Sequence, residues 1–285
     1  MGNDIQNRFQ QAKQAIGNAE YIVIGGGAGL SDAAGLHYTG KRWTDNFASY
    51  IEKYGFKDLY TSSFYPFSTQ EERWAYWAKH ISINLYDTPA TELYKDLFRL
   101  IKYEKYFVIT TNADRQFVKA GFAADKVLAV QGEYGYFQCA YPCHDTLYDN
   151  EEQVKAMIAH THDCLIPTSL VPKCPKCGGN VEVNLRGGAY FVQDKNWHDV
   201  AQSYENFVKK CEGTNVVFLE LGVGFNTPGI IRYPFEQMTY QNKNATLIRL
   251  NRDYSSGAKE NINRTIAFDE DMALVISALQ SSTEK

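Results

Sequence analysis

Apolar residues fall along the chain in short blocks separated by stretches of helical spacing. Residues 4–17 place Ile5, Phe9, Ala12 and Ile16 close to a helical period and stop at Gly17. The block Tyr21-Ile-Val-Ile24 then ends abruptly in Gly25-Gly26-Gly27-Ala28-Gly29, and Leu30 to Ala34 suits the start of a helix. Further blocks stand at residues 106–109, 127–130, 216–219, 246–250 and 265–268, most of them flanked by helical patterns at 91–103, 202–211 and 271–279. Blocks apolar on consecutive residues predict strands buried on both faces, and strands alternating with helices predict a parallel sheet covered on both sides. The expected fold class is α/β, a doubly wound, Rossmann-like parallel sheet.

Two stretches break the alternation. Residues 41 to about 80 are aromatic, helical in pattern and far too long for an ordinary strand-to-helix connection, so a helical insertion is expected there. Residues 134–192 hold most of the cysteines, several glycines, and Pro142, Pro167, Pro172 and Pro175, the composition of a small zinc-stapled lobe. The expected organisation is a nucleotide-binding domain from 1–133 and 193–285, carrying the insertion at about 41–80, and a zinc-binding lobe at 134–192. No internal repeat is visible, and low complexity is confined to the polar tail SSTEK.

Composition narrows the partners. Among 285 residues, 29 lysines and arginines face 33 aspartates and glutamates, a formal charge of −4. A weakly acidic chain without a basic stripe argues against a nucleic-acid partner. No apolar run reaches the roughly 18 residues needed to cross a bilayer, and the opening MGNDIQNRFQQAKQ lacks the apolar region of a secretion signal. No membrane partner is expected, and the expected location is cytoplasmic. In that reducing setting six cysteines point to free thiols or metal thiolates rather than disulfides.

The strand ends carry the candidate chemistry. Glycines let a backbone approach a diphosphate closely, which singles out Gly27, Ala28, Gly29 and Ser31; the register is not the usual dinucleotide fingerprint, and a tight turn that binds nothing is the lesser alternative. In Thr110-Thr111-Asn112-Ala113-Asp114, Asn112 can fix a ribose hydroxyl or a water and Asp114 can accept from an amide, while helix capping explains the same residue types. Gln131, in Val130-Gln131-Gly132-Glu133, is neutral at every pH and takes no proton as a histidine would. Gly222, Gly224 and Asn226 after one strand, and Asn251 after the next, suit a nucleotide's phosphate and ribose as well as ordinary loop chemistry. Cys139-x3-Cys143 and Cys174-x2-Cys177 can supply four thiolates to a closed, structural Zn2+ site, or remain four unligated thiols. Cys164, His144, His160 and His162 are nearby substitutes, and Cys211 lies in an amphipathic helix as a core residue.

In combination these elements resemble the sirtuin family over nearly the whole chain. The family's Gly-Ala-Gly-x-Ser is matched by Gly27-Ala28-Gly29-Leu30-Ser31, with Gly35 on the later motif glycine. Its Thr-Gln-Asn-x-Asp is matched by Thr110 to Asp114 with Thr111 in place of Gln, and its paired cysteines follow at similar spacing. Its Gly-Thr-Ser and Ile-Asn elements correspond to Gly222-Val223-Gly224 and Leu250-Asn251. The resemblance implies NAD as co-substrate and structural zinc. It assigns the nicotinamide ribose to Asn112, the carboxamide to Asp114, ribose hydroxyls or the acceptor to Gln131, the diphosphate side to Gly27, Ala28, Gly29 and Ser31, and the adenosine half to Gly222, Gly224, Asn226 and Asn251.

Two departures from the family bear on function. Its Pro-x-Phe-Arg reads His37-Tyr38-Thr39-Gly40, which leaves Tyr38 or an aromatic of the insertion such as Trp43 to close the nicotinamide pocket. Its catalytic histidine reads Gln131, so the base of the lysine-deacylating sirtuins, a contribution of about 10²- to 10⁴-fold, is missing. Loss of nicotinamide from NAD depends more on geometry and electrostatics than on that base. The pattern is similar to the macrodomain-linked sirtuins of bacteria and fungi, which implies protein ADP-ribosyltransfer to a lipoylated carrier of the glycine cleavage H type, reversal by a macrodomain hydrolase, and a link to oxidative stress. A weak deacylase or NAD glycohydrolase, and a non-catalytic NAD or ADP-ribose sensor, are the alternatives.

Overall fold

The computed structural model describes residues 2–280; Met1 and the polar tail at 281–285 lie outside the described residues. In chain order the elements are α1 (Gly2–Gly17), β1 (Tyr21–Gly26), α2 (Ala28–Ala33), α3 (Gly40–Tyr54), α4 (Leu59–Ser62), α5 (Gln70–Ile81), α6 (Glu92–Ile101), β2 (Tyr106–Thr110), α7 (Gln116–Ala120) and β3 (Val127–Ala129). Then follow β4 (Gly132–Cys139), β5 (Tyr148–Asp149), α8 (Glu151–Ala159), β6 (Val181–Leu185), α9 (Lys195–Lys210), β7 (Val216–Leu221), α10 (Arg232–Gln241), β8 (Thr246–Leu250), β9 (Thr265–Phe268) and α11 (Met272–Gln280). They form two compact units, one from residues up to 35, 90–131 and 196 onward, the other from 36–89 and 132–195. Among the described residues no helix is long and apolar enough to cross a membrane.

The first unit is the expected doubly wound sheet, six parallel strands in the order β3-β2-β1-β7-β8-β9. Successive side chains of a strand point to opposite faces. Ile22 and Ile24 therefore pack with Leu97, Ile101 and Val275 on one side, while Val23 packs with Phe235 and Cys211 on the other. Burial on both faces is why these strands read as unbroken apolar blocks. From β1 the chain steps outward to β2 and β3, then returns to β7 on the other flank of β1, so the order reverses between β1 and β7. One row of backbone partners runs Ala129, Thr110, Gly26, Leu221, Leu250, Phe268 across the sheet. The residues just beyond that row form the carboxyl edge, where open α/β sheets hold their ligands.

At the reversal two strand-end loops interlock backbone against backbone. Gly27 N–H donates to the Leu221 carbonyl and Gly29 N–H to the Gly222 carbonyl, both at 2.9 Å. A Cβ on Gly27 or Gly29 would stand 2.7 or 2.8 Å from the Gly222 oxygen, and Gly222 itself sits at φ +61°, where its own Cβ would strike Leu30 and Gly29 backbone. Only glycine fits that contact.

The second unit holds a three-stranded antiparallel sheet, β5-β4-β6, together with α8 and the insertion helices α3 to α5. The insertion, expected from the pattern to belong with the parallel sheet, groups instead with the cysteine-bearing segment. Trp74 packs edge-on to Phe137 with centroids 4.7 Å apart, Arg73 pairs with Glu182 at 2.7 Å, and Trp43, Phe47, Tyr50, Phe56 and Tyr76 make its aromatic core.

Because strain and overlap combine at Gly222, Gly222→Ala is expected to lower unfolding stability by about 2–5 kcal/mol, measured as a drop in urea midpoint at unchanged slope.

Candidate active site and metal centre

Thr110, the last residue of β2, starts the site. Its hydroxyl donates to the Gly26 carbonyl at 2.9 Å and accepts from the Asn112 amide N–H at 3.0 Å, which folds the loop back over the glycine turn. The Asn112 side-chain nitrogen then donates to the Gly27 carbonyl at 2.9 Å and lies 3.1 Å from Ser31 Oγ and 3.2 Å from the Tyr94 hydroxyl. A carbonyl can only accept, so Gly27 fixes which way the amide faces. Asn112 Oδ1 remains without a partner among the described residues, on a half-buried side chain at the carboxyl edge.

Behind Asn112 the polar chain continues inward. Ser31 Oγ donates to Asp114 Oδ2 at 2.6 Å and meets the Tyr94 hydroxyl at 2.9 Å. Asp114 Oδ1 accepts from the Gln116 amide at 3.0 Å, and Gln116 Oε1 accepts from the Thr91 amide at 2.9 Å. Burial pushes the Asp114 carboxyl above the usual range, against the Ser31 hydroxyl and the Gln116 amide that hold it down. Ser31 and Asp114 are thus engaged inside the network. Tyr94 and Gln116, both fully buried, are members that the motifs did not reveal. The one signal for Tyr94 was a hydroxyl on the apolar stripe of α6, beside Leu93 and Leu97.

Gln131 stands two residues beyond Ala129, as Asn112 stands two beyond Thr110, and Ala129 and Thr110 are register partners. The two amides therefore share one offset on neighbouring strands. Val130 N–H donates to the Thr110 carbonyl at 3.1 Å, holding the Gln131 turn against β2. Gln131 is half-buried, with no side-chain hydrogen bond among the described residues.

Beyond β7, Gly224 and Asn226 are exposed, whereas Asn251 beyond β8 is buried. Its amide nitrogen donates to the Val223 carbonyl at 2.9 Å and its oxygen accepts from the amides of Asp253 and Tyr254 at 3.2 and 3.0 Å. Asn251 thereby ties the two loops together. Beneath them lies a buried ionic cluster. Glu220 and Arg249 are register partners on β7 and β8, joined at 2.8 and 2.9 Å, and Arg232 and Glu236 approach from α10.

In the second unit Cys139, Cys143, Cys174 and Cys177 bring their sulfurs within 4.8 Å of one another. Cys139 and Cys177 are 3.7 Å apart, Cys143 and Cys174 3.8 Å. Four thiolates about 2.3 Å from Zn2+ in a tetrahedron lie about 3.8 Å from each other, so the donor set fits the ion, and four protein ligands make the site structural. His144 Nδ1 is 3.0 Å from Cys143 Sγ and its Nε2 2.6 Å from the Tyr148 hydroxyl, a partner outside the four-cysteine cluster. Cys164 lies in the aromatic core, His160 and His162 are exposed, and Cys211 is buried with its thiol on the Phe207 carbonyl. Of the two aromatics considered for closing a nicotinamide pocket, Trp43 is 4% exposed and stacked on Phe47, which removes it. Tyr38 is half-buried with its hydroxyl 3.1 Å from that of Tyr134.

No family model matches the chain. A protein ADP-ribosyltransferase of Staphylococcus aureus is 36% identical over 273 residues, 95% of this chain and 87% of its own length. A probable bifunctional ADP-ribose hydrolase/ADP-ribosyltransferase of Fusarium oxysporum is 31% identical over 83% of this chain, which spans 41% of that protein. Among solved structures, Sir2Tm bound to a propionylated peptide superposes with a TM-score of 0.59 at 16% identity, covering 94% of this chain and 95% of that one. A complex of a Sir2 homologue with NAD gives 0.57 at 15%, covering 95% and 92%. At such identities the likeness is one of fold.

The metal centre is testable apart from any activity. The purified chain is expected to carry one zinc per molecule by elemental analysis, and Cys174→Ser to lose it and to melt at lower temperature, because a structural ion contributes its binding energy to folding.

Proposed function

We propose a function from one premise: the chain belongs to the sirtuin family, within its protein ADP-ribosyltransferases. It transfers ADP-ribose from NAD to a protein acceptor, releasing nicotinamide, and the acceptor is a lipoylated carrier of the glycine cleavage H type. The observation that carries this reading is the pair of amides at the carboxyl edge, Asn112 locked by the Gly27 carbonyl and Gln131 at the same offset on the next strand. One is a fixed acceptor, the other a group with no proton to take up.

Bound NAD supplies the glycosidic bond whose cleavage frees nicotinamide. Asn112 Oδ1 accepts from a hydroxyl of the nicotinamide ribose, with the amide orientation held by Gly27 and the position buttressed by Ser31 and Tyr94. Asp114 orients Ser31 and the start of α7. Gln131 hydrogen-bonds a ribose hydroxyl or the incoming acceptor. Gly27, Ala28 and Gly29 lie on the diphosphate side, and the loops bearing Gly224, Asn226 and Asn251 on the adenosine side. Without a base of the histidine type, activation of an acyl-derived intermediate is disfavoured and transfer to a protein nucleophile is the outcome.

The acceptor and the reversing enzyme rest on the resemblance to macrodomain-linked sirtuins. The Fusarium relative supports the second, since its name joins an ADP-ribose hydrolase to the transferase in a chain of which this one spans 41%.

Mixing the protein, NAD and a lipoylated carrier is expected to add one ADP-ribose mass to the carrier and release nicotinamide. Nicotinamide release with an unmodified carrier would favour NAD glycohydrolase activity. Asn112→Ala should lower kcat/KM by about 10²-fold or more through lost positioning. Asn112→Asp, the same size but an acceptor facing the Gly27 carbonyl, should do no better. Transfer by the natural protein should show no inflection from residue 131 across pH 6 to 8, whereas Gln131→His should introduce one near about pH 6.5.

A further inference from the structure

Arg232 is a buried cation whose shortest contacts are not with carboxylates. Its Nη1 is 3.4 Å from Glu220 Oε1, but that carboxylate is already held by Arg249 at 2.8 and 2.9 Å. Arg232 Nη2 donates to the carbonyls of Tyr254 and Ser256, each at 3.1 Å, and Nη1 reaches the Val223 carbonyl at 3.5 Å. The guanidinium also lies over the Phe225 ring, 4.6 Å from its centroid. One side chain thus grips the loop after β7 through Val223 and Phe225, and the loop after β8 through Tyr254 and Ser256.

What the grip presents is aromatic. Phe225 and Tyr254 meet edge to face, centroids 5.0 Å apart and planes at 89°, and each is 49% exposed. They come from different loops beyond adjacent strands, on the edge next to the reversal of strand order. Burial lowers the Arg232 pKa, so the protein carries a desolvated charge to hold two solvent-facing rings in fixed relation. Exposed rings fixed in this way suit a planar base, which stacks on any π-face.

We infer that Arg232 is a positioning residue for the nucleoside end of NAD, acting through Phe225 and Tyr254, which contact the base. This rests on the NAD-dependent reading above. A lysine at 232 keeps the charge but has no planar fork to span two loops.

The test compares the full-length natural protein with Arg232→Lys and Phe225→Ala, using calorimetry with NAD and with ADP-ribose, and steady-state transfer. Both variants are expected to raise the dissociation constants and the KM for NAD by about fivefold or more while kcat at saturation stays within about twofold. Arg232 as a merely structural residue predicts the opposite split, a lower melting temperature and a smaller active fraction with unchanged KM. Dissociation constants within about twofold of the natural protein overturn the inference. Should Arg232→Lys fail to fold, Phe225→Ala decides, since its half-exposed ring makes no ion pair in the cluster. A natural protein that binds both ligands but transfers nothing defeats the transferase reading, while the binding comparison still settles Arg232.

Discussion

The approach of Gly27 and Gly29 to Gly222 sets how closely the two flanks of the sheet meet at the carboxyl edge, and the edge is built outward from that contact. Gly29 donates to the Gly222 carbonyl, Gly27 to Leu221, and Gly222 in turn to Leu250, so three strand ends are tied by peptide groups alone. The Gly27 carbonyl left over is the anchor of Asn112. The Val223 carbonyl next to Gly222 is shared by Asn251 and Arg232. A side chain at any of the three glycines would part these loops and displace Asn112 and Asn251, which hydrogen-bond to them.

Much of the fold was legible because burial on both faces writes itself locally. The strands at 246–250 and 265–268 end where the apolar blocks end. β7 runs on to Leu221 through Glu220, a residue that breaks the apolar pattern. Its compensation is Arg249, a register partner in another strand, and no local window contains both. The insertion was recognisable as helical for the same local reason. Its attachment was not, since that depends on Arg73 meeting Glu182 and Trp74 meeting Phe137 across long stretches of chain.

The site divides in the same way. Glycines, cysteine pairs and the Asn-x-Asp step stand close together in sequence and were visible as motifs. Their hydrogen-bond partners were not. Asn251 reads as a ligand-facing amide, and its side chain also ties the loops, one N–H donating to Val223 and the oxygen accepting from Asp253 and Tyr254, which no motif can disclose. Tyr94 sat on an apolar helical stripe, and only the three-dimensional arrangement gives its hydroxyl to Ser31 and Asn112. Trp43 looked available because aromatic residues in an insertion often are, but its neighbours Phe47 and Tyr76 enclose it.

The direction of the polar network gives Asp114 a cost as well as a use. Ser31 and the Gln116 amide both donate to it, and the ionised carboxylate accepts from both. Burial raises its pKa, meaning the folded protein holds that proton more tightly than the unfolded chain does. Its stabilising contribution is therefore fully present below the unfolded pKa and is lost as pH rises through the folded one. The ionised form of Asp114 works against folding while it holds the Ser31 hydroxyl and the Gln116 amide. In the transfer proposed above, nicotinamide departure needs alignment more than it needs a base, and Gln131 has no proton to take up. The tolerance of a buried, costly carboxylate behind Asn112 is what such chemistry leads one to expect.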